Sequence, residues 1–424
     1  LRVTRPTIGS AGWRTALILC TYGYQGVFAG FAVNALPNWH AAAGTSLAEI
    51  GAFLAVMGVP WTAQPLWGPV VDRFGGSRAG ARRFWVLAGL AGVLAALAVL
   101  LLTAASAPGL GRLGLILLLH NLFAALVDTA LDGLLIDRVP DHRLGQATAL
   151  TRVGFAGGTA AGAALFAWAI PALGVPAAAL VLLGFGAAAM GVSLAVREAA
   201  EDDLLPLRWR AAPARGTGLG AMLGDLAFQA TRRDALALIA LCATVEFVIH
   251  AFGVRLAVGL VQEGGWEAGD VSRMQGALTL LGGTAGALGV AWWVDRAGPY
   301  RALTALLGLA AACHVAAALL LMGGAPSGTG QALALGMSAL SPALFFVALA
   351  PAVMLESRGA NAATRFALFM AALNLGSISG AAASAPIGAV LDLPQMGLGA
   401  ALVLAACTLA VTGAFRAARS GRSA

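Results

Sequence analysis

The chain contains no lysine, so all 26 of its basic side chains are arginine. A G-x-x-x-x-G-K-[ST] phosphate loop is therefore impossible, because that loop uses a lysine ammonium to reach the β- and γ-phosphates. This argues against ATP-driven work by the chain alone. Charge of either sign is scarce: 11% of residues are charged and 59% are apolar, where an ordinary soluble domain is about a quarter charged and half apolar. Cysteine is scarce as well. Cys20, Cys242, Cys313 and Cys407 lie far apart in apolar stretches, with neither metal-ligand spacing nor the pattern of a disulfide framework. They read as small packing residues, and neither a metal nor another cofactor is expected.

The abundant component is long apolar sequence. Residues 84–106, 175–196 and 396–415 each run without a charge, and each is long enough for the roughly 20 residues an α-helix needs to cross a bilayer. Transmembrane barrels use alternating segments of about 10 residues, which excludes that class. The first apolar block is too long for a cleavable leader and continues into a polytopic pattern. The pattern predicts twelve spans, at 16–38, 46–71, 84–106, 113–138, 146–170, 175–197, 235–261, 270–294, 301–323, 331–355, 366–390 and 396–417. The fold class is thus an all-α membrane protein with twelve helices in two pseudo-symmetric six-helix bundles. Bundle 1–197 and bundle 235–424 are joined by a polar cytoplasmic linker, 198–234. Within the linker, Trp209 and Leu204-Leu205 suit contact with the membrane surface. Glycine, at 56 residues, fits such bundles because small residues let membrane helices approach closely. Runs such as Gly157-Gly158-Thr159-Ala160-Ala161-Gly162 show the pattern.

Basic residues orient the spans, since cytoplasmic loops collect arginine. With both termini cytoplasmic, nearly all arginines outside the apolar runs fall on one side, and only Arg112 and Arg273 lie near the other. The net charge of +7 is then a consequence of topology, and no nucleic-acid partner is expected. The two halves also repeat. Gly68-Pro69-Val70-Val71-Asp72-Arg73-Phe74-Gly75 follows the second span, and Gly289 with Asp295-Arg296-Ala297-Gly298 follows the eighth. Internal repetition at equivalent topological points is a transporter signature.

These two loops resemble the shared G-x-x-x-D-R-x-G-R-R motif of the major facilitator superfamily. Within it, four stretches resemble the branch of AmpG-type muropeptide permeases, acetyl-CoA transporters and rhizobactin-type siderophore permeases: Tyr22-Gly23-Tyr24-Gln25-Gly26, Pro60-Trp61 with Pro65-Leu66-Trp67-Gly68-Pro69, Asp128 to Pro140, and Thr151-Arg152-Val153-Gly154. The seventh span departs, with Glu246 near a position where members of that branch often carry lysine. The resemblance implies a monomeric permease of the bacterial inner membrane that imports a siderophore, muropeptide or similar polar solute by proton symport. It also implies that the first, fourth, seventh and tenth helices line a central cavity, which would bring together Tyr22, Gln25, Asp128, Glu246 and His250. Two alternatives remain open: a proton-driven exporter of drugs or metabolites, and a receptor or assembly factor of the same fold.

Ionisable groups inside bilayer helices cost about 2.5–3.5 kcal/mol each on insertion scales, so those present are informative. Asn121, Asp128 and Asp132 share one helical face by their spacing. Two carboxylates one turn apart at low dielectric disfavour joint ionisation, which makes Asp128 and Asp132 candidates for proton coupling. Glu246 and His250, four residues apart, are a second candidate pair. Arg152 is the candidate for an anionic substrate group, and it is equally a natural ion-pair partner for Asp132. Tyr22, Gln25, Asn121 and Asn374 are further substrate-contact candidates. Tyr24, Asn34 and Gln64 are polar residues for which hydrogen bonding between helices competes with cavity lining. Arg255 reads as snorkelling to the interface. Asp72–Arg73 and Asp295–Arg296 read as cytoplasmic gating latches.

Overall fold

Helices in lipid must satisfy their backbone polar groups internally, and they associate through close packing because lipid tails are as apolar as leucine. The computed structural model describes residues 6–73, 77–103, 109–139, 141–205, 231–286, 296–322, 328–356 and 362–420, with a few single positions between 220 and 293. Apart from turns and one isolated parallel bridge, Thr7–Arg197, the described chain is helical.

The first span is α1 (Ala11–Ala29), a π-helical turn (Gly30–Ala35) and α2 (Leu36–Ala42) in continuous succession. Then come α3 (Leu47–Thr62), a 3-10 turn (Gln64–Leu66), α4 (Trp67–Arg73), α5 (Ala81–Thr103), α6 (Leu110–Arg138) and α7 (Asp141–Ala195). The second half holds α8 (Arg233–Gln262), α9 (Ala268–Leu281), a π turn (Gly282–Gly286), α10 (Pro299–Leu321), α11 (Gly328–Glu356), α12 (Ala362–Gly388) and α13 (Leu393–Ser420). Two starts are capping boxes. Ser46 and Glu49 exchange side-chain-to-N–H bonds of 3.2 Å before α3, and Asp392 and Gln395 do the same at 2.8 and 3.0 Å before α13.

As far as their residues are described, the twelve expected spans fall on helical segments. Among the described residues, nine helical stretches are long and apolar enough to cross a membrane unaided. One of these, Leu150–Ala195, covers most of two expected spans and turns at Gly174, whose φ of 80° and ψ of 172° suit only glycine. The second expected span is broken, with α3 ending at Thr62 and α4 starting at Trp67. Pro65, which lacks an N–H and cannot continue the helical ladder, sits in the intervening 3-10 turn.

The chain forms two compact units, Leu1–Leu36 with Val56–Leu226, and Pro37–Ala55 with Ala227–Ala424. The first is built on α1 against α7. A Cβ added to Gly26 would lie 2.1 Å from the Phe155 carbonyl oxygen, and one added to Gly158 would lie 2.2 Å from that of Gly23. The backbones touch at these points, and beside them Phe31 meets Phe166 edge to face at 5.1 Å. The second unit repeats the device between α8 and α12, where Gly376 and Gly380 abut the Ala243 and Phe247 carbonyls. Its segment Pro37–Ala55 is held by Asn38, which donates to Ser272 Oγ and Gln275 Oε1 at 2.9 Å, and by Gln262, which donates to the Ala41 and Thr45 carbonyls. Overpacking such a contact costs at least about 1–3 kcal/mol. Gly26→Leu is therefore expected to lower the apparent melting temperature in detergent well below that of Gly12→Leu, where an added Cβ meets open space.

At the end of the first unit where α5 begins and α7 stops, two side chains cap each other's helices. Arg83, 2% exposed, directs all five of its N–H groups to backbone carbonyls: Nε to Ser193, Nη1 to Ala79 and Asp203, and Nη2 to Leu194 and Leu204, at 2.6–3.0 Å. Ser193 and Leu194 belong to the last turn of α7, where carbonyls lack intrahelical partners and carry the negative end of the helix dipole. Glu198, also buried, accepts the Arg82 and Arg83 N–H groups at the start of α5 and the Arg138 guanidinium at 3.0 Å. Burial raises the pKa of neighbouring Asp202, against the lowering effect of the Ala199 N–H bonded to it. The opening of the expected linker, through Leu205, is thus fastened to the bundle.

Candidate functional site

The polar face expected on the fourth span is present on α6, and neighbouring elements supply its partners. Tyr22, from α1, donates its phenolic hydrogen to an Asp132 carboxylate oxygen. Gln64, the first residue of the 3-10 turn, donates from Nε2 to Asp128 Oδ2 at 2.8 Å. The break after Thr62 gives this contact its geometry, since it carries Gln64 off the helical path of α3. Arg152, on α7, is near enough to Asp128, Asp132 and Tyr22 to act on each electrostatically. Asp128 is half-buried, whereas Asp132 and Arg152 are exposed. An exposed carboxylate and guanidinium inside lipid-spanning helices call for water or a polar ligand. Gln25 lies on α1 one turn beyond Tyr22. It is buried, and its Nε2 has no hydrogen-bond partner among the described residues.

Asn121 shares the helical face of the two aspartates but not their exposure. It is buried, with Nδ2 bonded to the Met57 carbonyl at 2.8 Å and Oδ1 3.0 Å from His120 Nδ1. The other nitrogen of His120 lies 2.6 Å from the Tyr24 hydroxyl, and Phe28 stacks on its ring at 3.6 Å. These residues form a closed polar network in the bundle interior. Sequence reasoning missed His120, although a lone histidine within the apolar run of α6 was the available signal.

In the second unit, Glu246 and His250 pair as their spacing predicts. His250 Nδ1 lies 3.1 Å from Glu246 Oε2 and 3.0 Å from the Glu246 carbonyl oxygen. Glu246 is buried and His250 half-buried. Arg255 reaches Glu263 at 2.8 Å near the end of α8, and Asn374 is half-buried with a partner of its own. Of the gating candidates, Arg296 is exposed and engaged. The Asp72 and Arg73 side chains and Asp295 lie outside the described residues, as does Trp209.

A sequence model of the Major Facilitator Superfamily matches residues 17–381, which include every element of this site. The chain belongs to the major facilitator superfamily. Solved structures of that fold superpose over nearly its whole length. A POT family transporter in complex with a thioalcohol-conjugated peptide has a TM-score of 0.71 at 12% identity, covering 96% of this chain and 98% of its own. The human organic anion transporter MFSD10 (TETRAN) has 0.65 at 17%, covering 95% and 100%. The nucleoside transporter NupG, in a mutant form, has 0.62 at 14%, covering 96% and 99%. At these identities the likeness speaks for the fold. As a superfamily member the chain is a multi-pass membrane transport protein rather than an enzyme.

Proposed function

We propose that this superfamily member is a proton-coupled importer of a polar organic solute, anionic or zwitterionic, of siderophore, muropeptide or nucleotide-conjugate type. It works by alternating access of the bundles 1–197 and 235–424. The observation that carries the reading is the pair of carboxylates on α6. Asp128 and Asp132 stand one turn apart, each held by a neutral donor, Gln64 or Tyr22, with the exposed Arg152 within electrostatic reach. A neutral donor such as the Gln64 amide can hold a carboxyl group in either charge state. Asp128 is therefore free to take up and release a proton as an anionic substrate engages Arg152. The orphan Gln25 amide offers that substrate a further donor, and Glu246–His250 offers a second proton-sensitive pair. Asn374 is a further candidate contact. Asp72–Arg73 and Asp295–Arg296 are proposed as the latches released when the cytoplasmic side opens. The setting proposed is the bacterial inner membrane, with both termini cytoplasmic and the protein acting as a monomer.

The test begins with a thermal-shift screen of the purified protein against ferric siderophores, anhydromuropeptides and nucleotide conjugates. Uptake of the stabilising compound is then measured in right-side-out and inverted vesicles. Import by proton symport requires accumulation in right-side-out vesicles that collapses with the pH gradient. Accumulation confined to inverted vesicles identifies an exporter, and no flux in either identifies a receptor. Arg152→Gln is expected to raise the apparent KM about 10- to 150-fold, the equivalent of one charge-assisted hydrogen bond of about 1.5–3 kcal/mol. An unchanged KM removes Arg152 from the substrate site.

A further inference from the structure

The second unit contains a cavity of about 540 Å³ walled by α9, α10 and α11 and lined by none of the candidate site residues. Its lining on α11 runs from Thr329 to Phe345, which is roughly 24 Å of helix at 1.5 Å per residue. The cavity is therefore elongated along α11, a slot rather than a sphere. The walls are aliphatic, with Met274, Leu306 and Leu340 among them, and Thr329, Cys313 and Ser341 are the polar members. The Ser341 hydroxyl already donates to the Met337 carbonyl at 2.8 Å. A polar solute entering here would lose its hydration and gain almost nothing, and a cavity this apolar does not hold water.

Two features connect the slot to lipid. Leu309 and Leu333, on its lining, are 51% and 50% exposed. They lie in stretches apolar and long enough to span the membrane, so the mouth faces hydrocarbon. Gly336 lines the same slot, and a Cβ added there would meet nothing within 4 Å. Some glycines of this chain, such as Gly26 and Gly158, mark backbones in contact, and others, such as Gly12, meet open space. Gly336 stands beside empty space, although glycine in a helix interior costs about 1 kcal/mol relative to alanine.

We propose that this slot is a binding site for one acyl chain of a bilayer phospholipid. The gain is packing: a chain leaving fluid hydrocarbon for fixed walls on three helices recovers dispersion contacts that an unfilled slot forfeits. The site is continuous with the lipid-facing surface and offers nothing to a headgroup, so selection rests on the chain.

The experiment uses the full protein in nanodiscs containing phosphatidylcholine with a mid-chain diazirine. After illumination, adducts are mapped by mass spectrometry. Adducts are expected to concentrate on the slot residues of α10 and α11, Leu306 to Cys313 and Leu333 to Leu344. The reference is Leu402 and Leu409 of α13, which are exposed but line no slot. Gly336→Phe, which fills the slot, should lower slot adducts several-fold and leave those on α13 unchanged. Should Gly336→Phe fail to give monodisperse protein, Ala332→Leu serves with the same readout. Slot adducts no denser than those on α13, or undiminished in the filled variant, would show ordinary annular lipid and overturn the proposal.

Discussion

Asp128→Asn is expected to yield a folded protein that no longer accumulates solute. Asparagine retains an oxygen that can accept the Gln64 N–H now 2.8 Å from the carboxylate, so the contact between the 3-10 turn and α6 survives. What is lost is the ability to change charge. With one proton moved per solute, a pH gradient of one unit supports about tenfold accumulation, since one pH unit is worth about 1.36 kcal/mol. The variant should instead equilibrate to an inside-to-outside ratio of about 1, on the same arithmetic. Counterflow exchange of labelled for unlabelled solute, which requires no net proton movement, should persist. Loss of both accumulation and exchange would assign Asp128 to substrate binding. Accumulation with unchanged pH dependence would remove it from coupling.

The second large effect concerns stability. Arg83→Ala withdraws all the donors from five carbonyls, two of them at the end of α7. Each buried acceptor left unsatisfied costs about 1–3 kcal/mol, so losing several together should cost at least about 3 kcal/mol. Arg83→Lys should fall between alanine and wild type, because an ammonium has three donors and no planar fork. Arg82 is the control. It pairs with the more exposed Asp137 at 3.1 Å, and such pairs are worth about 0–1 kcal/mol. Thermal unfolding of the three variants in one detergent should rank them Arg83→Ala, Arg83→Lys, Arg82→Ala, from least to most stable. An Arg83→Ala protein no less stable than Arg82→Ala would refute the capping role.

Apolar run length and arginine placement made the helices legible because the bilayer imposes both. The face carrying Asp128 and Asp132 was legible for a similar reason: helical spacing decides it locally. Their partners were not legible in the same way. Gln64 reads as one more polar residue on a continuous second span, and its bond to Asp128 exists because that span breaks near Pro65. Proline announces a break, but the direction in which the chain leaves it is tertiary. Arg83 reads from sequence as a topological marker just outside a span. Its five carbonyl partners come from segments more than a hundred residues away, apart from Ala79, and no local pattern encodes that meeting. Asn121 shows the converse. Its spacing matches that of the aspartates, yet packing against Met57 and His120 seals it, because a shared helical face says nothing about what covers each level of it.

The account depends on water reaching the acid-and-arginine cluster inside the first unit. Cysteine accessibility measures this directly. In a background with Cys20, Cys242, Cys313 and Cys407 replaced by serine or alanine, Asp132→Cys and Arg152→Cys are treated in membrane vesicles with a charged, membrane-impermeant thiol reagent. Both positions should label from at least one side of the membrane, and candidate solute should slow the reaction. If both stay unlabelled while a lipid-soluble maleimide reacts, the cluster lies in dry hydrocarbon contact and cannot serve proton-coupled transport.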